Sequence, residues 1–424
     1  MSLKANIDQV VEDMREEILS LLQRLVQIPT LAGDEGPAQD IIWEKMKSLQ
    51  MEMDRWDPPD DELARHPAYV PVDKPYNNRP NVVGRYRGSG EGRSLILNGH
   101  VDVVPTGPEE HWTSSPWSAN FVDGKIYGRG SADMKGGLTS AIFAVQALQK
   151  AGIRLKGDLI VESVVDEETG GNGTLACILR GYKAEGMIFA EPSSLGAIAV
   201  SNRGAQYFRI TVFGQEGGIE YKHDLVNPIT KAFELFQAVE AYSIMRESVV
   251  SHPLYDNLYN TKVPLGICKI QGGEWPSTVP SQVVLEGSIE CLPGEDIQAV
   301  KEGFKKYLME WNAKDPWLKE HPIKLDWFGL WFEAAEIAPD HQLPGMLADT
   351  AAEVTRNTPL IGGAGGCDLR LPILHGSTPA VLFGPAGGMI HSVDEYVEFE
   401  QVVACTKIFA RFAMDWCGTE KEAA

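Results

Sequence analysis

Five separated stretches of this 424-residue chain carry side chains that bind hard or borderline metal ions. "LNGHVDVVP" supplies His100 and Asp102, two positions apart at the end of a strand-like run and so projecting to the same side. "GRGSADMKGG" sets Asp133 among small residues just ahead of helix-like text. "SVVDEETGG" places Asp166, Glu167 and Glu168 after a β-branched run, then dissolves into glycines. "FAEPSS" adds Glu191, and "GGMIHSVDEY" adds His391. Adjacent carboxylates repel one another, so three in a row at the end of a buried strand require open solvent or a strong positive partner. Taken singly, each stretch reads as structural. An H-x-D in a strand is usually scaffold, a D-E-E at a loop is usually a solvated acidic patch, and a lone histidine is usually a surface or core residue.

The elements that must position these groups alternate in type. The first thirty residues repeat apolar side chains (Val10, Val11, Met14, Ile18, Leu21, Leu22, Leu25, Val26) every three or four positions, which predicts one amphipathic helix ended by Pro29. A second helix is predicted over 36–49. Strand-like "NVVGRYRG" and "RSLILNGHVDVVP", helical "GGLTSAIFAVQALQKAG" and strand-like "GDLIVESVVDEE" follow. This alternation predicts an α/β catalytic domain, a mostly parallel central sheet flanked by helices, with ligands gathering beyond the carboxyl ends of its strands. Near residue 202 the order becomes β-α-β-β-α-β, which predicts an inserted α+β two-layer domain over 202–329 with its own sheet. Residues 1–201 and 330–424 then make up the metal-binding domain.

Composition narrows the function classes. Hydrophobic residues at 43% and charged residues at 23% suit an ordinary globular chain. A net charge of −21 argues against nucleic acid or an anionic membrane as partner. The six cysteines contain no C-x-x-C pair and read as reduced thiols. No apolar run approaches the roughly 20 residues needed to cross a bilayer. The charged N-terminal segment has no signal-peptide core, so the expected location is the cytoplasm.

All five stretches in this order, together with "WTSSPWSANFVDGKIYGRGSADMKGG", resemble the M20 family of metal-dependent peptidases and amidohydrolases over almost the whole chain. The resemblance implies two Zn²⁺ ions, with Co²⁺ or Mn²⁺ as substitutes. His100 would bind one, with Asp102 behind it fixing the imidazole tautomer, and Asp133 would bridge both. Glu191 would complete the ligands of the first ion, and Glu168 and His391 those of the second. Glu167 would be the general base toward the water shared by the cations, and Asp166 would turn away into the strand's hydrogen bonds or solvent. A cis peptide between Asp133 and Met134 is also implied.

The implied activity is hydrolysis of the amide bond of a small N-acylated amine or amino acid, as in acetylornithine deacetylase and succinyl-diaminopimelate desuccinylase. Alternatives within the family are a dipeptidase or carboxypeptidase, or an aminopyrimidine deformylase. From another class, a non-catalytic metal-binding homologue would act through its dimer surface. The inserted domain resembles the family's lid and dimerisation domain, which implies a homodimer.

The chain departs from the family at the expected substrate contacts. Where relatives carry a lid histidine in G-x-x-G-H, "GQEGGIEYKH" has Gly218, and His223 is the nearest substitute. The asparagine and arginine that hold a substrate carboxylate are replaced by Ser277 or Thr278 and by Glu290, which favours a neutral or basic group there. Arg370 in "GGAGGCDLRL" keeps the family's arginine and is expected to contact substrate or to pair with Asp368.

Overall fold

A computed structural model describes residues 3–256 and 260–420 of the chain, which divides into two compact units. One comprises Met1–Ser201, Glu336–Gly363 and Cys367–Ala424, and the other Asn202–Ala335 and Ala364–Gly366.

The first unit is built on a mixed sheet. Its strands in chain order are β1 (Glu52–Trp56), β2 (Asn81–Tyr86), β3 (Leu95–His100), β4 (Leu159–Val164), β5 (Gly186–Phe189), β6 (Ala197–Asn202), β7 (Ala335–Glu336), β8 (Leu360–Ala364) and β9 (Ala380–Leu382). Among the described residues the order across the sheet is β1-β2-β4-β3-β5-β9-β6-β7, with β8 beside β6. The central pairs β4–β3, β3–β5 and β5–β9 are parallel, while β1–β2, β2–β4 and β9–β6 are antiparallel. The sheet is therefore parallel only at its middle.

Every residue of β3, β4 and β5 is buried. Strands enclosed on both faces need near-continuous apolar text rather than alternation, and "LIVESV" and "GMIF" read that way. The helix Gly136–Lys150 packs on β3 and β4, and the helix Phe399–Cys417 packs on it in turn.

The predicted N-terminal helix is two helices, Leu3–Asp13 and Arg15–Val26, broken at Met14. Met14 is itself buried, in line with Ile7, Val11, Ile18 and Leu22. The apolar stripe thus runs through the break, and its period gave no sign of it.

The second unit has the order β-α-β-β-α-β: strand Gly204–Phe213, helix Pro228–Val249, strands Leu265–Gly272 and Gln282–Cys291, helix Ile297–Asn312 and strand Lys324–Phe332. The four strands form one antiparallel sheet, with Leu265–Gly272 and Lys324–Phe332 at its edges. Ala232, Leu235 and Val239 of one helix and Val300, Phe304 and Leu308 of the other share a core with Phe208, Ile210 and Leu285 of the sheet. Asn227 and Asp296 start the two helices by accepting the backbone N–H of Ile229 and Gln298, each at 2.9 Å.

Candidate metal centre

The three adjacent parallel strands β4, β3 and β5 end along one side of the sheet, and each hands over to an acid or a histidine. His100 is the last residue of β3, Glu167 and Glu168 follow β4 after a short turn, and Glu191 lies two residues beyond β5. Parallel pairing alone brings these groups together, because it aligns the carboxyl ends of neighbouring strands. Asp133 arrives on the turn before the helix Gly136–Lys150, where its peptide bond to Met134 is cis, as the resemblance implied. His391 comes from the loop between the short strands Gly387–Gly388 and Tyr396–Glu398.

Asp133 sits at the middle. One carboxylate oxygen lies 3.1 Å from Nε2 of His100, and the other lies 3.2 Å from Nε2 of His391. His100 Nε2 is also 3.5 Å from Glu191 and 3.9 Å from Glu167, while His391 Nε2 is 3.1 Å from Glu168. Two overlapping groups, His100 with Asp133 and Glu168 and His100 with Glu167 and Glu191, each bring their ligand atoms within 4.8 Å of one another. Glu167, expected only as a base, thus lies within ligating reach as well.

The charges are held out of balance. Burial would push the Asp133 carboxyl up, yet the hydrogen bonds it accepts from His100 and His391 pull it well below the usual carboxylate range. Burial, reinforced by the charge of Asp368, drives the Glu167 carboxyl well above that range, and burial with the charge of Asp133 does the same to Glu191. The hydrogen bonds that His391 donates to Asp133 and Glu168 raise it to about 10. Four enclosed carboxylates and two imidazoles with no thiolate form a donor set that divalent cations satisfy, since only added positive charge lets all the acids ionise together. The residues fit a pair of such cations.

Supporting groups fix this arrangement. His100 Nδ1 donates to the backbone carbonyl of Asp102 at 3.0 Å, and the Asp102 carboxylate stands further off at 3.5 Å. That carboxylate instead accepts the Glu168 N–H at 3.0 Å, so Asp102 steadies both sides of the centre. The nearer partner of the imidazole is thus the Asp102 carbonyl and not its carboxylate.

Asp166 takes a left-handed φ of 68° and turns into the interior, not toward solvent. It accepts hydrogen bonds from Tyr76 at 2.5 Å, Arg79 at 3.2 Å, Asn172 at 3.2 Å and Thr169. Arg79 also grips Glu35 through two hydrogen bonds of 2.9 and 2.7 Å, and all three charged groups are buried. The three consecutive acids therefore face two different sources of positive charge. Sequence reasoning missed Tyr76 and Arg79, which lie some ninety residues upstream in the proline-rich "DKPYNNRP" loop.

Arg370, Glu290 and His223 were the expected substrate contacts. Arg370 is 0% exposed, and its guanidinium donates to the carbonyls of Gly170 at 3.2 Å and Ala68 at 3.4 Å, so it braces two loops from inside rather than presenting itself to a substrate. Asp368 receives the Thr174 hydroxyl at 2.5 Å. In the second unit, Glu290, where a neutral or basic group was expected, is paired with Arg203 at 2.7 Å. His223 lies exposed in a turn, and Gly218 pairs with Thr278 in a two-residue ladder.

Residues 96–415 match the family described as peptidase family M20/M25/M40. Over 446 aligned residues, 98% of each chain, the sequence is 30% identical to N-formyl-4-amino-5-aminomethyl-2-methylpyrimidine deformylase of Bacillus subtilis. It is also 30% identical over 442 residues, 97% of each chain, to the deformylase of the same name from Halalkalibacterium halodurans. Among solved structures, human carnosine dipeptidase 1 superposes with a TM-score of 0.73 at 18% identity, covering 98% of this chain and 99% of that one. A dipeptidase of Saccharomyces cerevisiae superposes with a TM-score of 0.77 at 17% identity, covering 99% of this chain and 100% of that one. At such identities these two likenesses concern the fold alone.

Proposed function

The chain belongs to peptidase family M20/M25/M40, and from that premise we propose that it is a metal-dependent deformylase, splitting the amide bond of an N-formylated amine borne by a small aminopyrimidine-like ring. The convergence of His100, Asp133, Glu167, Glu168, Glu191 and His391 in one cluster carries the hydrolytic part of this reading. Whole-length similarity to two aminopyrimidine deformylases supports the formyl part. That similarity moves the deformylase ahead of acetylornithine deacetylase, which the sequence alone had put first.

We assign the donor set to two Zn²⁺ ions, for which Co²⁺ or Mn²⁺ would substitute; His100, Asp133, Glu168, Glu191 and His391 would hold them. When bound, such a pair polarises the amide carbonyl and makes water acidic enough to ionise near neutrality. The remaining work falls to the chain. The Glu167 carboxylate takes a proton from the attacking water and returns it to the departing amine nitrogen, so that formamide and water leave as formate and amine. The Asp102 carbonyl keeps the proton of His100 on Nδ1 and its Nε2 lone pair toward the centre.

Incubation with an N-formyl aminomethylpyrimidine, N-acetylornithine and a dipeptide tests the reading. Formate release should outpace amine release from the other two. Rapid deacetylation of ornithine without formate release would refute it.

No helix among the described residues is long and apolar enough to cross a membrane. The six cysteines are unpaired, which suits a reducing compartment and keeps the cytoplasm as the proposed location. A second copy of the chain is the proposed partner of the second unit. The helix Pro228–Val249 leaves Phe233, Ile244 and Val249 67%, 71% and 70% exposed, and the strand Leu265–Gly272 ends its sheet with an open edge.

A further inference from the structure

We infer that Glu395 is a positioning residue that sets the spacing between the Asp133 and His391 sides of the centre. The inference rests on the two-cation reading above.

The Glu395 side chain is 0% exposed, and every hydrogen bond found for it comes from the segment that carries Asp133. One carboxylate oxygen accepts the backbone N–H of Ala132 at 3.0 Å and of Asp133 itself at 3.2 Å. The other accepts Nη1 of Arg129 at 2.5 Å. The Glu395 carbonyl accepts the Gly128 N–H at 2.8 Å. One residue thus fixes both the backbone and the charge of the turn at 128–133. Arg129 is buried too, reaches the Pro105 carbonyl at 3.3 Å and lies over the Trp112 ring.

Glu395 also stands four residues after His391, whose ring is half exposed and is held by Asp133 and Glu168. The backbone that delivers that ring is unusual. Met389, His391 and Asp394 all adopt left-handed φ values, of 56°, 59° and 57°. Such conformations cost L residues energy and persist only where the surroundings over-determine them. Two anchors do so here. The Asp394 carboxylate accepts both the N–H and the hydroxyl of Thr113 at 2.8 Å, and Glu395 grips the Asp133 turn. The segment 391–395 is a strap with His391 at one end and the brace of the Asp133 turn at the other.

Outer partners of metal ligands typically change affinity about 10- to 100-fold when lost. Zn²⁺ titration of metal-free chain against a fluorescent chelator, with the visible spectrum of the Co²⁺ form, tests the inference. The parent chain should take up two cations. Glu395→Ala should weaken the second uptake step by that factor and alter the Co²⁺ spectrum. Glu395→Gln, whose amide oxygen still accepts from Ala132 and Asp133, should recover part of the loss. A purely structural role would lower the melting temperature of the metal-free variant and leave both affinities within about twofold of the parent, and that result would overturn the inference. If Glu395→Ala fails to fold, Glu395→Gln decides. It removes the charge that faces Arg129 and should weaken one step roughly two- to tenfold, the range of a single hydrogen bond, while unchanged binding would overturn the inference. A parent chain that binds no cation would sink the two-cation reading, and this inference with it.

Discussion

Replacing Glu162 by glutamine should stabilise the protein in alkaline solution and do nothing for it in acid. Glu162 lies in the interior of β4, opposite Asn98 of β3, and the Asn98 amide donates to it at 2.9 Å. Burial pushes its carboxyl from the ordinary 4.5 up to about 7, against the opposing pull of that hydrogen bond. The folded state therefore binds a proton more tightly than the unfolded state does. The resulting stability is fully present below pH 4.5 and is lost as pH rises through about 7. At ~1.36 kcal/mol per pKa unit, the loss between about pH 5.5 and about pH 8.5 comes to roughly 2 kcal/mol. Glutamine keeps an acceptor for Asn98 and has no charge to bury, so its contribution stays flat. Urea unfolding of parent and Glu162→Gln, both freed of metal, should give a stability difference that shifts toward the variant by about that amount across the window. A difference independent of pH would show that Glu162 is ionised or well solvated inside the fold, and would refute the reasoning.

Three further outcomes follow from the same structure. Glu167→Gln should cut kcat by about 10²- to 10⁴-fold while both cations remain bound, read by turnover beside metal analysis. Arg79→Met strands Glu35 and Asp166 as buried, unpaired acids and should cost about 3–5 kcal/mol by chemical denaturation. Replacing Phe233 and Ile244 together by lysine should convert a dimer to a monomer in sedimentation velocity, with formate release as a check that each chain stays folded.

The centre was legible in the sequence because metal ligands must be particular residue types, and because strand ends announce themselves locally. His100 closes an apolar run, Glu167 and Glu168 follow another, and Glu191 sits just past a third, so parallel pairing was enough to gather them. Groups that brace the ligands were not legible. Asp166 looks like Glu167 and Glu168 on paper, and only the distant Arg79 and Tyr76 separate its role from theirs. Glu395 reads as one acid among many until the fold lays it against the backbone of Asp133. Asp102 sits where expected but uses its carbonyl, a group every residue has and no sequence pattern marks. Arg370 was expected to contact substrate or pair with Asp368 yet lies fully enclosed, because sequence gives a residue's type and not its depth.

Diffraction from crystals soaked in Zn²⁺, with anomalous differences collected at the zinc edge, tests the paired-cation centre most directly. Two peaks should flank Asp133, one beside His100 and Glu191 and the other beside Glu168 and His391. A single peak, or zinc bound only away from these side chains, would contradict it.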